Sequence, residues 1–113
     1  MKINRRVRGD VVILELGGRL MGGPDSEALQ KVIRELLAAG SRHVVIDLAH
    51  VAWVNSSGLG MLIAAFTTLK EAGGMLKLLN VSRRIEQILA VTKLNSIFEI
   101  HAEEDAVVGS FGG

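Results

Sequence analysis

The chain has 113 residues, with 13 Lys plus Arg against 12 Asp plus Glu, 49% hydrophobic residues, 4% aromatic residues and no cysteine. That length suits one domain built on an aliphatic core, and the apolar content argues against disorder. The composition excludes disulfides, thiolate metal sites and thiol nucleophiles, and a formal charge of +1 exerts no general pull on nucleic acid or anionic lipid.

In chain order, Lys2 to Arg8 reads as an edge strand whose cations discourage pairing with other molecules. Gly9-Asp10 is a turn, and Val11 to Leu16 a second strand with apolar residues on both faces, so both are expected to be covered. Gly17, Gly18, Gly22 and Gly23 mark a loop. Pro24 opens a helix, with Asp25 and Glu27 near its positive end and Gly40 closing it. Leu29, Val32, Ile33, Leu36 and Leu37 give that helix one apolar face.

His43 to Leu48 has the β-branched, nearly continuous apolar character of a central strand. A heavily buried helix is expected from Ser57 to Ala72, stopped by Gly73-Gly74. Met75 to Leu79 reads as a short strand, and Ser82 as the cap of a third helix that buries Ile85, Ile88 and Leu89. Ile97 to Ile100 is read as a last strand, Glu103 to Val108 as a fourth helix and residues 109–113 as a frayed tail. The alternation predicts a single α/β domain over residues 1–113, with a mixed, mainly parallel sheet of four to five strands and four helices.

The longest apolar stretch, Leu59 to Phe66, falls far short of the ~20 residues that span a bilayer. The opening MKINRRVRGD lacks the apolar core of a signal peptide. A mature, soluble, cytoplasmic chain is expected.

Polar residues concentrate at His50 to Gly60, between the central strand and the buried helix. Asn55, Ser56 or Ser57 can cap that helix, and a capping serine can also be a modification site. The residues alone leave both open. Three catalytic patterns fail here. A nucleophile elbow needs glycine two residues before its serine, where Ser56 has Val54 and Ser57 has Asn55. The dinucleotide fingerprint meets Ile63 at its third small position, and the spacing of a phosphate loop from Gly18 to Gly23 is followed by Pro24 instead of lysine.

His43, His50 and His101 are the three histidines, and a strand separates the first two, which disfavours a shared metal. His50 could serve Ser56 as a base with Asp47 as its orienter, but an ordinary strand-end histidine is the simpler reading. Glu103, Glu104 and Asp105 suit a helix N-terminus. Arg83-Arg84 is either a solvated face or a patch for a partner. The N-terminal cations lack interleaved aromatics, so nucleic-acid binding is not expected.

Asn55-Ser56-Ser57-Gly58-Leu59-Gly60 resembles the Asp-Ser-Ser-Gly-Leu-Gly turn of STAS domains, in particular the stand-alone bacterial anti-sigma factor antagonists. VVILELGGRL resembles the family's second strand and following loop, HVVIDLAHVAWVNSSGLGMLI its central strand and helix, and LKLLNVSRRIEQILAVTKLNSIFEIHAEEDAV its C-terminal half. The likeness covers nearly the whole chain.

It implies a protein that is not an enzyme and binds no cofactor. Such a protein binds an anti-sigma factor that is also a serine kinase, so freeing the sigma factor. Phosphorylation of the first motif serine, here Ser56, breaks the complex, and a serine phosphatase resets it. Asn55, Ser57 and Gly58 would border the contact surface, joined by Met21, Arg83 and Arg84. This chain departs from the pattern at Asn55, where the motif has Asp, and at Met21, where many members carry an acidic residue. The alternative implied is a STAS module that binds its partner without phosphorylation control, as a scaffold or a lipid or transporter accessory subunit.

Overall fold

The computed structural model describes residues 1–112. Its strands are β1 (Lys2–Arg8), β2 (Val11–Leu20), β3 (His43–Val54), β4 (Met75–Leu79) and β5 (Ile100–His101), and its helices α1 (Pro24–Ala38), α2 (Ser56–Glu71), α3 (Arg83–Val91) and α4 (Glu104–Phe111). The strands form one sheet in chain order, with β1 antiparallel to β2 and every later pair parallel. This is the mixed α/β architecture expected from the alternation of elements.

Alternate residues of the strands point to opposite faces. Val12, Leu14, Leu16, Val44, Ile46, Leu48, Leu76 and Leu78 face the larger core, where they meet Leu29 and Ile33 of α1, Leu62 and Leu69 of α2, and Ile85 and Leu89 of α3. Phe66 meets Phe98 edge-on there, with ring centroids 5.4 Å apart. Val11, Ile13, Val45 and Leu79 face the other way and are covered by Val107, Val108 and Phe111 of α4. Both faces of the central strands are thus buried, which accounts for their unbroken apolar runs.

β2 and β3 are longer than their sequence suggests. Gly17 and Gly18, expected in a loop, lie within β2, and β3 continues six residues past Leu48. Two register shifts, between Glu15 and Gly17 and between Gly18 and Arg19, absorb the extra residues while pairing resumes at Arg19 with Trp53 and Leu20 with Val54. Those shifts break the period-two pattern by which a strand is recognised. β4 stops pairing with β3 at Asp47, so the ends of β2 and β3 project beyond it as a two-stranded ribbon. Asp47, buried at that point, accepts from the Ala49 N–H at 2.9 Å and the Asn80 side chain at 3.1 Å.

Two further expectations are corrected. A turn of 3-10 helix, Leu94–Ser96, follows Lys93 in the left-handed region, Phe98 then buries in the core, and pairing with β4 begins only at Ile100. The tail read as frayed from residue 109 is helical through Phe111, because β4 supplies an anchor. Lys77 donates to the Ser110 carbonyl at 3.2 Å and its hydroxyl at 2.8 Å, and sits 4.4 Å from the centre of the Phe111 ring. That ring also stacks on His43 at 4.8 Å. At the other end of α4, Glu104 accepts from Arg6 and Arg8, which hold its carboxyl down to about 2.

Candidate docking and modification site

The projecting ribbon carries the polar segment to one end of the molecule. Asn55 follows β3 in extended conformation and caps α2, its side-chain oxygen accepting from the Gly58 N–H at 2.7 Å. Its own N–H donates to the Leu20 carbonyl at 3.2 Å, tying the cap to the end of β2. Ser56 and Ser57 are therefore the first residues of α2 and both are exposed. Their amides belong to the first turn, which lacks intrahelical acceptors and carries the positive end of the helix dipole.

Glycines set how closely the β2–α1 loop approaches this turn. A Cβ on Gly58 would overlap the Leu20 carbonyl oxygen, and one on Gly22 would lie 2.6 Å from the Ser57 Cβ. Gly22 also needs its φ of +81°. Met21, between these contacts, is 44% exposed. The structure thus brings Met21, Asn55, Ser56, Ser57 and the buried Gly58 together around the start of α2.

Arg83 and Arg84 enter from another side. Ser82 caps α3 by accepting from the Ile85 N–H at 3.2 Å, and Arg84 lays its guanidinium 4.9 Å from the centre of the Trp53 ring. Trp53 is 39% exposed at the end of β3. It was not among the residues singled out from the sequence, although the chain's one tryptophan beside a capping segment is a usable signal. Arg83 is exposed and lines a groove along α3 with Glu86, Gln87 and Ala90.

His50 lies apart, in a shallow groove of about 190 Å³ with Lys2, Asn4, Glu15 and Gly17, and no hydrogen bond joins it to Ser56 or Asp47. Among the described residues no group of three His, Asp or Glu side chains is placed to hold a metal ion, and no helix is long and apolar enough to cross a membrane. The arrangement offers an exposed hydroxyl at a helix N-terminus, three residues along the chain from a tryptophan that carries a stacked arginine.

The family model for the STAS domain matches residues 2–107. The chain belongs to the STAS domain family. Within it, this STAS domain is 35% identical over 80 residues to the anti-sigma-B factor antagonist of Bacillus subtilis, across 68% of the chain and 73% of that protein. A candidate anti-sigma factor antagonist from Thermotoga maritima shares the fold with a TM-score of 0.85 at 23% identity, over 96% of this chain and 92% of that one. The anti-sigma factor antagonist SpoIIAA in its unphosphorylated form matches at a TM-score of 0.74 and 18% identity, covering 99% of both chains. SpoIIAA in its phosphorylated form matches at 0.72 and 20% identity, over 96% of this chain and 99% of that one. The Bacillus subtilis relative and SpoIIAA are named as anti-sigma factor antagonists, and a sulfate transporter family protein from Wolinella succinogenes shares the fold as well, with a TM-score of 0.79 at 17% identity over 93% of this chain and 87% of that one.

Proposed function

We propose that this STAS domain is a cytoplasmic anti-sigma factor antagonist that binds an anti-sigma factor serine kinase and is released by phosphorylation of Ser56. The observation that carries the reading is the position of Ser56, exposed immediately after the Asn55 cap, at the family's motif serine and next to Ser57, on which Gly22 of the β2–α1 loop packs. In the modification, the Ser56 hydroxyl oxygen forms a bond to the γ-phosphorus of ATP as the bond to the β-phosphate oxygen breaks. ADP leaves, and the hydroxyl proton passes to a base on the kinase. A serine phosphatase returns the hydroxyl by hydrolysis.

The physics favours a local switch. A phosphate adds about −1.5 to −2 charge and, at a helix N-terminus, meets free amides and the positive dipole end, so the free domain tolerates it. Within an interface the same group must be desolvated. Loss of only about 2.8 kcal/mol weakens association about 100-fold, with no refolding. The similar TM-scores of the two SpoIIAA forms support a fold that persists through modification. Asn55 and Met21 carry no carboxylate, so a phosphate at Ser56 faces no like charge from those two positions.

The test incubates the domain with ATP and the anti-sigma-type serine kinase of its own genome, then locates phosphate by mass spectrometry and measures binding. Phosphate on Ser56 and binding about 100-fold weaker for Ser56→Asp are expected, with Ser56→Ala still bound. Equal binding by Ser56→Asp, Ser56→Ala and wild type would overturn the reading.

A further inference from the structure

Six of the eight arginines form two groups, apart from Arg34 on α1, which has no carboxylate partner among the described residues, and Arg42, which donates to the Leu37 and Ser41 carbonyls. Arg5, Arg6 and Arg8 on β1 are each paired with a carboxylate: Glu35 for Arg5, Glu104 and Glu15 for Arg6, Glu104 and Asp105 for Arg8. At the docking end, Arg19, Arg83 and Arg84 have no carboxylate partner among the described residues. Arg19 pairs in register with Trp53 while their neighbours Leu20 and Val54 turn into the core, so Arg19 and Trp53 share the outward side of the ribbon. Arg84 stacks on the same indole from α3. Across residues 17–23, 49–57 and 81–88 the formal charges are these three guanidiniums and one carboxylate, Glu86.

A shallow, open depression with aliphatic side chains continues from the cations. Arg84 also lines a groove of about 310 Å³ with Gln87, Ile88, Val91 and Thr92, in which Val91 is 83% exposed. Arg84 therefore joins the indole on one side to an aliphatic groove on the other. Its exposed aliphatic surface, from Ile88 and Val91, is small enough to be covered by one or two aliphatic side chains.

We propose that the Trp53–Arg84 patch, with Arg19, Arg83 and the Val91 groove, docks an acidic protein segment whose carboxylates meet the guanidiniums and whose aliphatic side chain enters the groove. The proposal rests on reading this end as the docking face and supplies the partner's chemistry. It also gives the switch a sign. A phosphate on Ser56 brings negative charge to the face that an acidic segment must approach, so it repels that segment and competes for the same cations.

The single tryptophan makes the patch its own reporter. Trp53 emission is followed while the full domain is titrated with the peptide acetyl-Glu-Leu-Glu-Glu-Leu-Glu-amide, its counterpart with Lys for Glu, and phosphatidylglycerol vesicles. A saturable shift is expected with the acidic peptide alone. It weakens about tenfold or more in Arg19→Glu/Arg84→Glu, and also when NaCl rises from about 20 mM to about 500 mM. Arg19→Gln/Arg84→Gln, which keeps side-chain bulk without charge, should show an intermediate loss, and far-ultraviolet dichroism checks that each variant is folded. An equal response to the Lys peptide or to vesicles, no response to the acidic peptide, or unchanged binding by the folded double variants would overturn the proposal. The two readings fail separately. Loss of kinase binding in Ser56→Asp with no peptide response sinks only the acidic partner, whereas a peptide response with kinase binding indifferent to Ser56 sinks only the phosphorylation switch.

Discussion

Gly58 and Gly60 stand two residues apart in one helix and carry opposite constraints. At Gly58 a Cβ would overlap the Leu20 carbonyl oxygen, an atom of backbone that cannot rotate away, whereas a Cβ on Gly60 meets nothing within 4 Å. Gly58→Ala is therefore expected to destabilise the domain by about 3 kcal/mol, by forcing the end of β2 away from α2. Gly60→Ala should instead stabilise it by about 0.5–1 kcal/mol, because alanine is the better helix former in open space. Urea denaturation of both variants decides the matter, and equal effects at the two positions would show that the Leu20 contact does not govern the motif. The sequence marks both glycines within one short motif. It cannot say which one is steric, since the atom in question lies far up the chain at the end of β2. A cap among Asn55, Ser56 and Ser57 was legible because capping is local, but only the structure selects Asn55, and Trp53 was missed because its contact with Arg84 joins two distant elements.

Among the elements, α4 departs most from its sequence pattern. Gly109-Ser110-Phe111-Gly112 has the composition of a frayed end, and only the contacts of Lys77 and His43 reveal why it is helical. The acidic start of the helix was legible, but its pairing with β1 across nearly the full length of the chain was not. That pairing has a pH consequence. The hydrogen bonds from Arg6 and then Arg8 lower the Glu104 carboxyl from 4.5 to about 2, and those from His101 and then Lys77 lower Glu99 to about 2 as well. A carboxyl lowered in the folded state contributes stability that is fully present above its unfolded pKa and is lost as pH falls through its folded pKa. The contribution of both groups should therefore disappear between about pH 4.5 and about pH 2. Glu104→Gln is expected to melt at a lower temperature than wild type at neutral pH, with the gap closing across that window. Thermal denaturation at stepped pH tests this, and a gap that stayed constant down to about pH 2 would exclude Glu104 as its source.

Over the whole molecule, the apolar runs of β2 and β3 already implied a sheet covered on both faces, as it is. They did not reveal how unequal the two layers are, because an amphipathic pattern shows which residues of a helix bury but not the face they bury against. Three helices cover the larger core and α4 alone covers the smaller one, with Val107 as its one fully buried residue. A layer held by one short helix should open at lower free energy than the sheet beneath it. Val107→Asp puts an unpaired charge against Val11, Ile13, Val45 and Leu79, and detaching α4 is the route that solvates it without dismantling the larger core. Hydrogen exchange in this variant should show α4 amides near the rate of unstructured peptide while β2 and β3 amides remain slow, and a hydrophobic dye should bind the uncovered face. Uniform acceleration across α4, β2 and β3 would show instead that the two layers unfold as one cooperative unit. The docking end, built on the larger core, should keep its acidic-peptide response in Trp53 when α4 detaches.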